Sequence, residues 1–416
     1  MYKYKTLSNG LTIVGEEIPY VKSVSLGIWI NSGSRIESPD DSGVSHFIEH
    51  MLFKGTKNRT AKEIARDIDN LGGQINAFTN KECTCYYVHL LDEHLNIGID
   101  VLSDMILNSL FDKKDINKER FVILEELKMY EDSLDDLSYY LLLENIYPND
   151  GLGMNILGNR NTIKNLSKEQ ILNHYNKYYV PNNAVISICG NFDFDEVVNE
   201  IEEKFGAWKS KEINIEVKEA EFKSCIVKKN KESEQVNIAI NLKAIPEENE
   251  EEAYALAVVN NIFGGSTSSR LFQNIREDKG LVYSIYSSQT LFRKCGELGI
   301  FASTGEEYLK EVCESIMDEI KNIKENYVTE EELKESKEQL KGNHILSLES
   351  ISSKMLAMGE AMLLNKKVKT EDEIIEHINN VTMKQVKDII DKVFDLDYLG
   401  VCIVGRDVEG VQIESK

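Results

Sequence analysis

The chain resembles itself at an offset of about half its length. Leu52-Phe53-Lys54-Gly55-Thr56 matches Ile262-Phe263-Gly264-Gly265-Ser266 at an offset of 210. Gly73 to Phe78 matches Gly280 to Ile285 at 207, and Leu166 to Ile171 matches Val381 to Val386 at 215. Ile186 to Gly190 matches Val401 to Gly405, again at 215. Each match is weak alone, but four in one order with offsets drifting by a few residues mark a tandem duplication. A chain of 416 residues also exceeds what one hydrophobic core holds. Two homologous domains are therefore expected, residues 1–212 and 213–416.

Each half mixes strands and helices without regular β-α-β alternation. Val24–Asn31 is β-branched and reads as a strand. Asp41–Phe53 reads as a helix with Asp and Ser caps just before it. Thr60–Leu71 is a second helix, with Thr60 and Glu63 spaced as a capping box. Gln74–Thr79 and Cys83–Leu90 read as strands, and Glu93–Leu110 and Asp115–Tyr130 as long amphipathic helices. The expected class is α+β, each domain a mostly antiparallel sheet packed against helices. The charged stretch Lys209–Lys223 is the linker candidate.

The net charge of -23 repels phosphate backbones, which argues against a nucleic-acid partner and favours basic peptides or cations. The N-terminal residues lack the apolar core of a secretory signal, and no uncharged apolar run approaches membrane-spanning length. Seven scattered cysteines do not form a disulfide framework. A cytoplasmic protein with no membrane span is the expectation.

The chemistry is concentrated in His46-Phe-Ile-Glu49-His50. On a helix, positions i and i+4 share a face, so both imidazoles can reach one metal ion, and Glu49 flanks that face. The order H-x-x-E-H is the inverse of H-E-x-x-H, and both serve zinc proteases. A zinc held by three protein groups keeps its fourth position for a water whose pKa it lowers to about 7. A glutamate that is not a ligand can then move the proton. A chance H-x-x-E-H in a chain with 7 His is on the order of one in a hundred, so a merely structural origin is a poor explanation. The third ligand must come from elsewhere. Helix Asp115–Tyr130 offers Glu119, Glu125 and Glu126, and helix geometry does not choose among them. In the second half, His46, Glu49 and His50 map to Leu256, Val259 and Asn260, and Glu119 and Glu126 to Ser336 and Asn343. That copy keeps the scaffold without the ligands, so the polar set is not a requirement of folding.

His46-Phe-Ile-Glu49-His50-Met-Leu-Phe-Lys-Gly-Thr56, with Glu119 to Glu126 downstream, resembles the pitrilysin/insulysin family of inverzincin metallopeptidases. Among them it is most similar to the half-size members, such as bacterial processing-protease-like enzymes and the catalytic subunit of the mitochondrial processing peptidase. The resemblance implies one Zn2+ per chain held by His46, His50 and Glu126, with Glu49 as general base and Glu119 as a supporting carboxylate. It also implies that Arg276 and Tyr283, seven residues apart after the Gly264-Gly265-Ser266 run, bind substrate and its developing oxyanion from the opposite half of a clamshell. Asn76, Ala77 and Phe78 correspond to an edge strand that pairs with substrate backbone. The pattern of residues alone fits an edge or a central strand equally. Two domains make half of such a chamber, so a homodimer, or a heterodimer with another half-size chain, is implied. The function expected is zinc-dependent cleavage of unfolded or extended peptides. The alternatives are a non-catalytic subunit of a processing-peptidase-like complex and a zinc hydrolase of non-peptide bonds.

Overall fold

A computed structural model describes residues 2–410. The chain forms two compact units that are not simple halves. The first comprises residues up to Leu127, Asn155–Glu216 and Ile345–Thr370. The second comprises Lys128–Met154, Val217–His344 and the chain from Glu371 onward. The units do not follow the expected 1–212 and 213–416, because each also holds a helical segment from the other half of the sequence.

Six strands build the first unit: β1 Lys3–Thr6, β2 Thr12–Glu17, β3 Ser23–Ile30, β4 Gln74–Thr79, β5 Thr84–Leu91 and β6 Ala184–Gly190. They lie in the order β1-β2-β6-β3-β5-β4, so β4 is an edge strand. One face packs Leu26, Ile28, Tyr86 and Val88 against Phe47, Ile48, Met51 and Met105 from the helices Val44–Leu52 and Leu95–Asn108. The opposite face packs Trp29, Cys85 and Val185 against Met355, Met358 and Met362 of helix Ile351–Asn365. Coverage on both faces explains why β6 is buried along its whole length. The helix approaches closely at Gly359, where a Cβ would run into Trp29 Nε1. That indole N–H donates to Ser187 Oγ at 2.9 Å.

The second unit contains β7 Cys225–Asn230, β8 Gln235–Ala244, β9 Val282–Phe292, β10 Cys295–Gly305 and β11 Leu399–Gly405, in the order β7-β11-β8-β10-β9. Its core joins Ile238, Ile240 and Ile300 to Val259, Phe263, Ile316 and Ile390. Helix Leu134–Ile146 covers the other face through Leu142, Leu143 and Ile146. Without β1, the first sheet reads β2-β6-β3-β5-β4, which matches the second strand for strand. Both contain one parallel pair, β2 with β6 and β7 with β11, and the other pairs are antiparallel. The fold is therefore α+β with two related units, on sheets that are mixed rather than wholly antiparallel. Among the described residues no helix is long and apolar enough to cross a membrane.

Candidate metal centre

Helix Val44–Leu52 carries the motif and buries seven of its nine residues, His46 among them. It enters through Gly43, whose φ of +93° and close approach to Leu157 O (2.7 Å from a built Cβ) exclude a side chain. The cap expected from the adjacent Asp and Ser is absent. Glu37 serves instead, accepting from Gly43 N–H at 2.7 Å and Ser45 N–H at 2.8 Å. A chain that turns back on itself delivers a buried carboxylate to the amides at the start of the helix, where the macrodipole favours it. Burial nevertheless pushes the Glu37 carboxyl up to about 7, against the pull of both amides. His174 braces the same helix from Lys168–Tyr178, its Nε2 lying 2.9 Å from Ser32 Oγ and 3.3 Å from Ser45 Oγ.

Helix Lys113–Asp132 supplies the carboxylates, and two of the three, Glu119 and Glu126, face the histidines. Glu125 is exposed. Glu126 brings one oxygen to 3.4 Å from His50 Nε2 and the other to 3.8 Å from His46 Nε2. Donor atoms of His46, His50 and Glu126 all lie within 4.8 Å of one another. Ligand atoms about 2.0–2.1 Å from a tetrahedral zinc stand about 3.3–3.4 Å apart, so the donor set fits such an ion with small adjustments. Glu119 approaches the other side of the ring: its Oε2 is 3.2 Å from His50 Nδ1 and its Oε1 is 3.0 Å from Lys54 Nζ. This leaves His50 Nε2, the atom that faces Glu126, as the one available to an ion, the arrangement in which a carboxylate fixes the tautomer of a metal-binding histidine.

Electrostatics separate the two imidazoles. Burial pushes His46 down to about 4, so it is neutral with its lone pair available. Its Nδ1 is buried without a hydrogen-bond partner among the described residues, so binding at Nε2 sets its tautomer. Burial also opposes charge on His50, but hydrogen bonds to Glu119 and Glu126 prevail and raise it to about 9. Both carboxyls resist burial for the matching reason and are held below the ordinary range, Glu119 by His50 and Lys54, Glu126 by His50 and His46. Glu49 lies near His50 and Glu126 but outside the donor trio. It accepts from Thr79 Oγ1 at 2.5 Å, and burial raises its proton affinity.

The remaining sequence candidates are dispersed. Asn76 is exposed on the edge strand, where its Oδ1 accepts from Ala77 N–H at 2.9 Å. Phe78 packs edge-on against Trp29, with ring centroids 5.6 Å apart. Arg276 and Tyr283 belong to the second unit. Arg276 lies on the wide helical turn Phe272–Asp278, its guanidinium 4.6 Å from the centre of the Phe272 ring. Tyr283 is 66% exposed on β9, at a bulge between the pairs Val282 with Thr304 and Ser284 with Ser303. A bulge re-aims the side chain it carries. Three contributors, Glu37, Lys54 and Thr79, received no role from the sequence. Of these, only Lys54 stood inside the motif stretch.

A family model described as Insulinase (Peptidase family M16) matches residues 12–160, and one described as Peptidase M16 inactive domain matches residues 165–340. The chain is 43% identical to the Bacillus subtilis protein named "Uncharacterized zinc protease YmxG", over 96% of this chain and 97% of that one. This chain belongs to peptidase family M16. A Rickettsia felis relative, also named an uncharacterized zinc protease, is 35% identical over 98% of this chain and 99% of its own. Two solved structures share the fold at low identity. A protease from Helicobacter pylori has a TM-score of 0.90 at 20% identity, covering 97% of this chain and 99% of its own. A Pseudomonas fluorescens structure titled a peptidase M16 inactive domain has a TM-score of 0.91 at 17% identity, covering all of both chains. The ligand-free second copy also has a structural counterpart in this M16 chain. Where the repeat places Leu256 for His46 and Ser336 for Glu119, Leu256 is fully buried, and Ser336 donates to Val258 O and accepts from Asn261.

Proposed function

We propose that this M16 chain is a zinc-dependent endopeptidase that cleaves unfolded or extended peptides. The observation that carries the proposal is the convergence of His46 Nε2, His50 Nε2 and the Glu126 carboxylate beside a half-buried glutamate, Glu49, that is not part of the trio. His46, His50 and Glu126 would hold the ion. When bound, zinc supplies a Lewis acid and lowers the pKa of a water in its open coordination position. Glu49 takes the proton of the attacking water and returns it to the nitrogen of the leaving amine. Its raised proton affinity suits both steps, because a base that holds its proton too weakly accepts it poorly. Glu119 keeps the His50 proton on Nδ1 throughout.

The edge position of β4 supports recognition by backbone pairing, which accepts many sequences in an extended conformation. Arg276 and Tyr283 act in this proposal as donors to substrate and oxyanion, and the functional species is a dimer of half-size chains. The acidic surface favours basic peptides.

A quenched fluorescent peptide library, with zinc content measured in parallel, tests the proposal. Glu49→Gln should abolish turnover and keep zinc, whereas Glu126→Gln should lose zinc. Wild-type turnover in Glu49→Gln would remove the base assignment. A zinc-loaded wild-type protein that cleaves nothing would leave a non-catalytic subunit.

A further inference from the structure

The geometry points to Thr79 as the residue that positions the catalytic base: we infer that its hydroxyl fixes the Glu49 carboxylate in the orientation needed for proton transfer. The inference rests on the base role proposed for Glu49.

Thr79 closes β4, with its side chain buried on the face where Ile75 and Ala77 join the main core of the first unit. Its Oγ1 donates to Glu49 Oε2 at 2.5 Å, the single hydrogen bond to that carboxylate among the described residues. A glutamate has three rotatable side-chain bonds. Unpinned, it would spread over several rotamers and place its oxygens differently in each. The bond occupies Oε2 and leaves Oε1 to face the reacting proton.

The hydroxyl proton is committed to this acceptor. Across the sheet, Thr79 pairs with Thr84. Thr84 donates its own proton to Ser32 O at 2.8 Å, and its oxygen, 3.4 Å from Thr79 Oγ1, is a more distant and uncharged acceptor than the Glu49 carboxylate at 2.5 Å. The backbone that carries Thr79 is also immobilised. Asn80 N–H donates to Cys83 O at 2.8 Å, Ser34 N–H to Asn80 O at 3.2 Å and Arg35 N–H to Lys81 O at 2.7 Å. Gly33 permits this close approach, because a Cβ there would collide with the carbonyls of Asn80 and Lys81. Arg35 and Glu82, both buried, form an ion pair at 3.0 Å across the same turn. A hydroxyl held this firmly is preorganised, and preorganisation is what a positioning residue contributes.

The test uses the full-length zinc-loaded protein. Thr79→Val keeps the shape and removes the donor, Thr79→Ser keeps the donor, and Glu49→Gln is the reference. Supporting contacts of this kind are worth about 10–100-fold in activity. Thr79→Val should therefore lose about that factor in kcat, while KM and zinc content stay within about twofold, since binding is not what the bond serves. Thr79→Ser should recover most of the loss. Crystal structures of the zinc-free variants give a readout independent of turnover: the Glu49 carboxylate should leave its place in Thr79→Val and keep it in Thr79→Ser. Thr79→Cys, a weak donor of similar size, carries the comparison if the valine variant does not fold. Wild-type kcat in Thr79→Val while Glu49→Gln is dead overturns this proposal alone. So does a serine variant as impaired as the valine one, or an unmoved Glu49 in Thr79→Val. A fully active Glu49→Gln overturns the base assignment and this proposal with it.

Discussion

Replacing Glu119 by Gln removes a buried carboxylate that lies between His50 and Lys54, outside the donor trio of His46, His50 and Glu126. Its two oxygens do separate jobs, Oε2 meeting His50 Nδ1 at 3.2 Å and Oε1 meeting Lys54 Nζ at 3.0 Å. An amide of the same shape has one acceptor and one NH2. With its oxygen toward His50, the NH2 faces the Lys54 ammonium, donor against donor. Turned around, the NH2 faces Nδ1 and drives the imidazole proton onto Nε2, the atom needed for the ion. The Lys54 side chain is 33% exposed, so its half of the bridge is screened and worth under about 1 kcal/mol. The His50 half is a partly buried, charge-assisted bond worth about 1.5–3 kcal/mol. At about 1.4 kcal/mol per decade, Glu119→Gln should weaken zinc binding roughly 10–100-fold. Lys54→Met, which removes only the screened half, should weaken it by less than about fivefold. Competition against a chromophoric chelator at neutral pH measures both. Unchanged affinity in Glu119→Gln, or a larger loss in Lys54→Met, would refute the division of labour.

Three further outcomes concern stability. Gly359→Ala should destabilise the first unit by about 1–5 kcal/mol: overpacking against Trp29 (about 1–3) and strain on a buried hydrogen bond (about 1–3) outweigh a helix-propensity gain of about 0.5–1. Both tryptophans, Trp29 and Trp208, lie in the first unit, so fluorescence-monitored urea unfolding reports on that unit directly. Gly342→Ala, in helix Glu330–Ser347 where a Cβ meets nothing within 4 Å, should instead gain about 0.5–1 kcal/mol by circular dichroism. His174, pushed by burial down to about 4 from 6.5, binds its proton more readily when unfolded. Its contribution, about 3 kcal/mol at most, is therefore complete above pH 6.5 and lost as pH falls toward 4. His174→Gln should flatten the decline of the urea midpoint across that window in metal-free protein without abolishing it, because His46 and His89 are shifted in the same direction.

Legibility in the sequence followed the range of the interactions. The i,i+4 spacing of His46 and His50 is local, and the capping box at Thr60 and Glu63 is equally so; both stand in the structure as read. The choice among Glu119, Glu125 and Glu126 depends on how two helices face each other, which periodicity does not encode. Glu37 was missed because it reaches its amides across a turn rather than from the cap position. The parallel pairs β2/β6 and β7/β11 join strands more than a hundred residues apart, where no hairpin signal exists. Thr79 looks like any strand-ending threonine until Glu49 is seen opposite it.

The far face of the first sheet has a bearing on how the protein is made. Trp29 and Cys85 are buried against a helix that begins at Ile351. A ribosome therefore has to deliver most of the polypeptide before the first unit is complete. Until then a broad apolar surface waits uncovered, and a fragment ending after residue 212 would carry that surface permanently.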